Sequence, residues 1–144
     1  MQASRILPDL QCALICEDVR QEANGNLIII GVINLIRVPQ LPVTAAKLCF
    51  FVRWTAGLGK FMESVRLIAP DQTTVLRKNE VKFALENAAL HSTNVTVFGQ
   101  VQFEFAGTYY VEVLVDEVMK LRFPLSVAVV QPPPGTQAPP PQTA

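Results

Sequence analysis

The sequence holds one histidine, one tryptophan and three cysteines in 144 residues, and its twelve Lys and Arg are matched by twelve Asp and Glu. Each scarcity removes a class of function. Without a basic surplus the chain lacks the cation excess through which general nucleic-acid binders and polybasic membrane modules grip phosphate. Neither nucleic acid nor a membrane surface is therefore expected as a partner. A single histidine leaves little for general acid–base chemistry, and no residue pattern calls for a cofactor. Cys12, Cys16 and Cys49 are odd in number and sit in apolar stretches, where a thiol behaves as a small hydrophobe. Cys12 and Cys16, four apart in extended chain, stand about 13 Å from each other, too far to bond. That usage fits a reducing cytoplasm. Long apolar runs are missing too: the stretch from Leu27 to Ile36 is broken by Gly31 and Asn34, whereas a bilayer span takes about 20 apolar residues. Met1 to Leu10 lacks the basic start, apolar core and small-residue cleavage site of an export signal.

What is abundant is apolar residues, 50% of the chain. A chain of this length buries roughly 68–70% of its unfolded surface, enough for one domain without disulfides or a structural metal. Proline divides it unequally. Five prolines are scattered over residues 1–130, and six fall between Pro132 and Pro141. Residues 131–144 carry no apolar side chain larger than alanine or proline, so burial cannot offset their ordering entropy. The expected organisation is a folded domain over 1–130 and a disordered proline-rich tail over 131–144.

Within the body the apolar spacing is two, the period of strands, almost everywhere. Val95, Val97, Gly99, Val101, Phe103 and Phe105 share one face. Val111, Val113 and Val115 share another, and after a tight connection at Asp116-Glu117 the series Leu121, Phe123, Leu125, Val127, Val129 follows. Pro124 removes a ladder donor and places that stretch at an edge. Earlier, Leu10 to Val19 turns Leu10, Cys12, Leu14 and Cys16 inward. Asn24-Gly25-Asn26 supplies a hairpin turn, and Leu27 to Val38 returns, with Gly31 marking a bulge or close backbone approach. Lys47 to Thr55 faces Leu48, Phe50, Val52 and Trp54 inward, and Phe61 to Ala69 follows a turn at Gly57-Leu58-Gly59-Lys60. Ala84 to His91 reads as a loop with one turn of helix. Seven to eight short antiparallel strands with turn signals between them predict two sheets packed face to face, an immunoglobulin-like β-sandwich, with a jelly roll as the alternative.

Three stretches carry a family resemblance. Cys12-Ala13-Leu14-Ile15-Cys16-Glu17-Asp18-Val19-Arg20, with Gly25 and Leu27-Ile28-Ile29-Ile30-Gly31-Val32, is similar to the opening strand, acidic corner, glycine turn and return strand of a family of short bacterial proteins known as a domain of unknown function. Leu48 to Arg53 resembles a later strand of the same family, and Gly107 to Asp116 is similar to the closing hairpin of immunoglobulin-like domains. The resemblance implies a fold and no substrate, cofactor or catalytic residue.

The chemistry-bearing residues are few. Gly57-Leu58-Gly59-Lys60-Phe61 lacks the spacing, the following Ser or Thr and the helix of a phosphate loop, and reads as a turn. His91 and the three cysteines show no paired ligand spacing for zinc, and cysteines on a core face are shielded from acting as nucleophiles. Glu17, Asp18, Arg20 and Glu22 form the densest charge cluster, at the corner between the first two strands, where Asp18 and Arg20 share a face and pair. Phe51, Ile68 and Phe98 fall on faces read as outward. With Arg53 and Arg66 beside them they would make an aromatic-plus-Arg patch of the kind found at interface centres. The functional expectation is therefore a non-catalytic interaction or assembly module that offers a sheet face or edge strand to a protein partner or to a second copy of itself. The alternative is a ligand-binding or enzymatic sandwich with its site at the loop end near Asp18.

Overall fold

The computed structural model describes residues 5–130; the proline-rich segment 131–144 lies outside the described residues. The alternating segments form nine strands: β1 (Asp9–Gln21), β2 (Leu27–Val32), β3 (Ile36–Val38), β4 (Val43–Thr55), β5 (Gly59–Ile68), β6 (Val75–Leu85), β7 (His91–Phe103), β8 (Gly107–Val115) and β9 (Val118–Val129). They make a four-stranded sheet in the order β2-β1-β4-β7 and a five-stranded sheet in the order β3-β9-β8-β5-β6. The two-sheet, all-β architecture expected from the period-two pattern is present.

Two details differ from the sequence reading. Leu27 to Val38 is not one strand. It breaks after Val32, and β3 crosses to the other sheet, where it pairs in parallel with β9 (Ile36↔Val127). The ladder is thus not wholly antiparallel, and the described residues form nine strands. Ala84 to His91 contains no helix: β6 runs to Leu85, and turns lead directly to β7. Pro124 does lie at an edge locally. Among the described residues its one ladder partner is Tyr110, because β3 reaches β9 only from Val127 onward.

Between the sheets lies one core, with Phe50, Val52, Trp54, Val65, Leu67, Phe103, Tyr109, Val111 and Leu125 almost wholly buried. Trp54 stacks on Phe83 with ring centroids 5.7 Å apart, Phe50 meets Phe98 edge-on at 5.1 Å, and Phe103 meets Tyr109 edge-on at 5.0 Å. Such pairs add roughly 0.5–1.5 kcal/mol each beyond their burial.

Strand faces depart from simple alternation at two places. A bulge between Leu10 and Cys12 reverses β1. Ala13 and Ile15 therefore face the core, and Cys12, Leu14 and Cys16 lie on the outer face, opposite to expectation. One inserted residue exchanges all later side chains between faces. In β7 the inward residues are Thr96 and Phe98, then Val101 and Phe103, so alternation slips by one around Gln100, whose φ is 54°. β4 makes the same slip between Leu48 and Ala45, and the pairing Ala45↔Val101, Lys47↔Gly99, Leu48↔Phe98 is unbroken. The two strands turn over together.

Candidate functional site

The expected aromatic-plus-Arg patch does not assemble. Phe98 is 4% exposed because the turnover at Gln100 sends it into the core, where Arg77 lies over its ring at 5.1 Å. Ile68 is on the outer face of the five-stranded sheet, 3% exposed between its ladder partners Val75 and Tyr110. Near it, Arg66 is paired to Glu112 at 2.9 Å. Phe51 is on the outer face of the other sheet and 6% exposed. Arg53, on the same face, donates to Gln11 at 2.8 Å and to Thr93 at 3.1 Å, across both neighbouring strands. The five residues are thus divided among two outer faces and the interior.

Phe51 shares a groove with the β1–β2 hairpin. β1 leaves its ladder with β4 after Cys16↔Cys49 and continues with β2 alone. At this departure the Cys49 thiol contacts the Glu17 carbonyl oxygen at 3.5 Å, and Gly31 takes a φ of 68°. A Cβ at Gly31 would stand 2.7 Å from Glu17 Cδ, so the Glu17 side chain occupies the space a larger residue would need. Beyond the kink, Gln21, Glu22, Leu27 and Ile29 face Phe51 and Arg53 across a groove of about 730 Å³. Phe51, Arg53 and Glu22, drawn from two separate sequence expectations, meet here.

The acidic corner anchors this hairpin. The Asp18 carboxylate accepts from Lys47 Nζ and Arg20 Nε, each at 3.1 Å. The hydrogen bond from Lys47, then that from Arg20, holds its carboxyl below the usual range. Asp18 and Arg20 do pair, as expected. Glu22 serves the turn through its backbone, donating to the Asn26 carbonyl at 2.7 Å and accepting from Gly25 N–H at 2.9 Å.

β2 itself is one of the two edge strands of the four-stranded sheet, β7 being the other. Leu27, Ile28, Ile30 and Val32 are 38%, 42%, 37% and 54% exposed, and the strand contains no charged residue and no proline. Among the described residues, unpaired backbone groups and apolar side chains therefore coincide along this edge.

One functional group escaped sequence reasoning altogether. Glu63 of β5 is fully buried between the sheets. Its Oε1 accepts from Trp54 Nε1 at 2.7 Å and from Asn94 Nδ2 at 2.9 Å, and its Oε2 has no partner among the described residues. Burial pushes the carboxyl up, against the opposing effect of those two hydrogen bonds. The available signal was parity: Glu63 shares the inward face with Phe61, Val65 and Leu67. Among the described residues, no three His, Cys, Asp or Glu side chains converge to hold a metal ion. No helix there is long and apolar enough to cross a membrane.

The class this defines is a two-sheet all-β domain with an apolar edge that is uncovered among the described residues and a groove beside its first hairpin. The profile of a family of unknown function (DUF6941) matches residues 11–128, and the chain belongs to that family. The matched region takes in all nine strands except the first two residues of β1 and the last of β9. A search of curated proteins returns no match.

Proposed function

We propose that this protein is a non-catalytic, cytoplasmic interaction module, and that β2 is the edge through which it pairs with an extended segment of a protein partner. The framework is of immunoglobulin type. The order β9-β8-β5-β6 corresponds to strands G, F, C and C′ of such domains, with β1, β4 and β7 in the places of A, B and E. Tyr109, near the start of β8, donates its hydroxyl to the Phe105 carbonyl four residues upstream at 2.7 Å. That is the corner bond of the F strand in those domains.

The observation that carries the reading is the undefended β2 edge. Natural sheets blunt their edges with charge, proline or a covering element, because an open apolar edge templates pairing with another chain. An added strand would gain main-chain hydrogen bonds from the edge and side-chain contacts from Ile28, Ile30 and the groove by Phe51, the mode known as β-augmentation. Light scattering across a concentration series tests for a second copy as partner, and affinity capture from the source cells tests for other proteins. The reading expects a complex in at least one assay that Ile28→Lys with Ile30→Lys weakens by roughly 100-fold while the domain stays folded. A chain that is monomeric at every concentration, with captured proteins unchanged by those substitutions, would contradict it.

A further inference from the structure

The outer face of the five-stranded sheet gathers charge of one sign, and it is separate from the β2 edge. Phe61, Val65 and Leu67 turn into the core, so strand alternation places Lys60 and Arg66 of β5 on the outer side. The ladders set Lys78, Glu80 and Lys82 of β6, Glu112 of β8 and Arg122 of β9 on that side with them. Glu112 is shared by two cations, Arg66 at 2.9 Å and Arg122 at 3.6 Å. Lys78 stands 3.6 Å from Glu80. Among the described residues neither Lys60 nor Lys82 has a carboxylate within ion-pair distance. Asp116, which borders the same shallow depression, is paired with Arg5. Five cations against two carboxylates leave an excess of three positive charges on this face, in a chain whose formal net charge is zero.

The charges are also regularly spaced. Lys60, then Lys82 opposite Met62, then Glu80 opposite Ser64, then Lys78 opposite Arg66, occupy successive outward rungs of the β5–β6 ladder. Such rungs are about 6.7 Å apart, the repeat of side chains along one face of any extended chain. The four rungs therefore read positive, positive, negative, positive over roughly 20 Å. Beside them the Arg122 guanidinium lies over the Tyr110 ring at 4.0 Å. Stacking of that kind fixes the plane of the guanidinium and leaves its edge able to donate to a carboxylate.

We infer that this face docks an extended acidic segment of a partner protein, laid along β5 and β6. Its carboxylates stand at alternate positions over Lys60, Lys82 and the Lys78–Arg66 rung, with an uncharged residue over Glu80. Glu80, 47% exposed in the middle of the row, decides the class of partner. A nucleic-acid backbone is charged at every unit and an anionic bilayer over its whole surface, so each would press negative charge onto that carboxylate. A peptide avoids this by its choice of residue. No two acidic residues of this chain stand two apart in sequence, so a second copy does not supply the pattern.

The experiment measures fluorescence anisotropy at low ionic strength, with the full chain titrated into acetyl-Glu-Thr-Glu-Thr-Gln-Thr-Glu-amide carrying an uncharged dye. Expected is saturable binding, absent when every Glu of the peptide is Gln. Exposed ion pairs are individually weak, and Lys60→Gln with Lys82→Gln removes two of them and weakens binding about tenfold. Lys60→Arg with Lys82→Arg retains it, and Ile28→Gln with Ile30→Gln on the distant β2 edge leaves it unchanged. Exchanging the central Gln of the peptide for Glu weakens binding about threefold, and Glu80→Gln abolishes that difference. Absence of saturable binding would overturn the inference. So would binding indifferent to the lysine substitutions, or tighter binding of a short oligothymidylate or of anionic phospholipid vesicles than of the acidic peptide.

Discussion

β2 and β6 are each one edge of a sheet in the same sandwich, and they are built in opposite ways. β6 carries Arg77, Lys78, Glu80 and Lys82 along its length, and it is tied across to the other sheet. Asn79 donates to Thr96 at 3.0 Å, and Arg77 donates to the Gly99 carbonyl at 2.8 Å, where β7 turns over. A strand pairing there would have to desolvate alternating charges and displace those ties. β2 has neither charge nor tie along its six residues, and the polar anchors of its hairpin, Asp18 with Lys47 and Arg20, are on β1 and β4 rather than on the edge. One protein thus defends one edge and leaves another open. Stability alone does not require the open one, because residues 27–32 contribute no side chain to the fully buried core.

Substitutions can break or sharpen this contrast. The largest expected effect is on the defended side: Phe98→Ala removes a core ring from beneath Arg77 and costs about 3–5 kcal/mol of unfolding free energy, measured by denaturant titration, with association through β2 unaffected. Next, Ile28→Lys with Ile30→Lys gives β2 the charge pattern of β6 and weakens association by roughly 100-fold, the value of two apolar side chains removed from an interface. The reverse exchange, Lys78→Val with Glu80→Val, removes an ion pair of 3.6 Å and produces new association through β6, detectable as a rise in scattering mass with concentration.

A smaller effect belongs to the interior. Burial raises the Glu63 carboxyl above its ordinary 4.5 in the folded protein. Its contribution is therefore fully present below 4.5 and lost as pH rises through the folded value. Glu63→Gln removes that slope. In melting curves taken from pH 4 to 8 the variant gains on the wild type as pH rises, by about 1–3 kcal/mol at the alkaline end. The smallest effect is at the corner. Asp18 has a lowered folded value, so its tie is present above 3.8 and lost as pH falls through that lowered value. Asp18→Asn leaves global melting unchanged and quickens amide exchange in the β1–β2 hairpin.

The strands and turns were legible because burial on one face imposes period two, and most turns carry Asn, Gly or Pro. The inward sets of β4 and β8 follow directly: Leu48, Phe50, Val52 and Trp54, then Val111, Val113 and Val115, are all buried. What could not be read was the face of a strand beyond an irregularity. The bulge between Leu10 and Cys12 and the turnover at Gln100 involve no glycine or proline at the displaced residue, and each reverses everything past it. Phe98 was misplaced for that reason. Phe51 was on the face expected of it, but its 6% exposure depends on sequence-distant neighbours on β1 and β7 that leave no local signal. The acidic corner was legible, since Asp18 and Arg20 are two apart in a strand; its third member, Lys47, lies 29 residues away. The open edge was not, because an apolar run such as Leu27 to Val32 reads equally as a buried strand, and only the sheet order leaves it uncovered.

The central claim is that the free edge of β2 receives a strand from a partner. Hydrogen exchange of the amides from Leu27 to Val32, with the protein dilute and then concentrated or bound to a captured partner, tests it most directly. The account predicts slowed exchange in β2 on association, with β6 amides unchanged and the effect absent in Ile28→Lys with Ile30→Lys. Association that leaves β2 exchange unaltered, or that protects β6 instead, would contradict it.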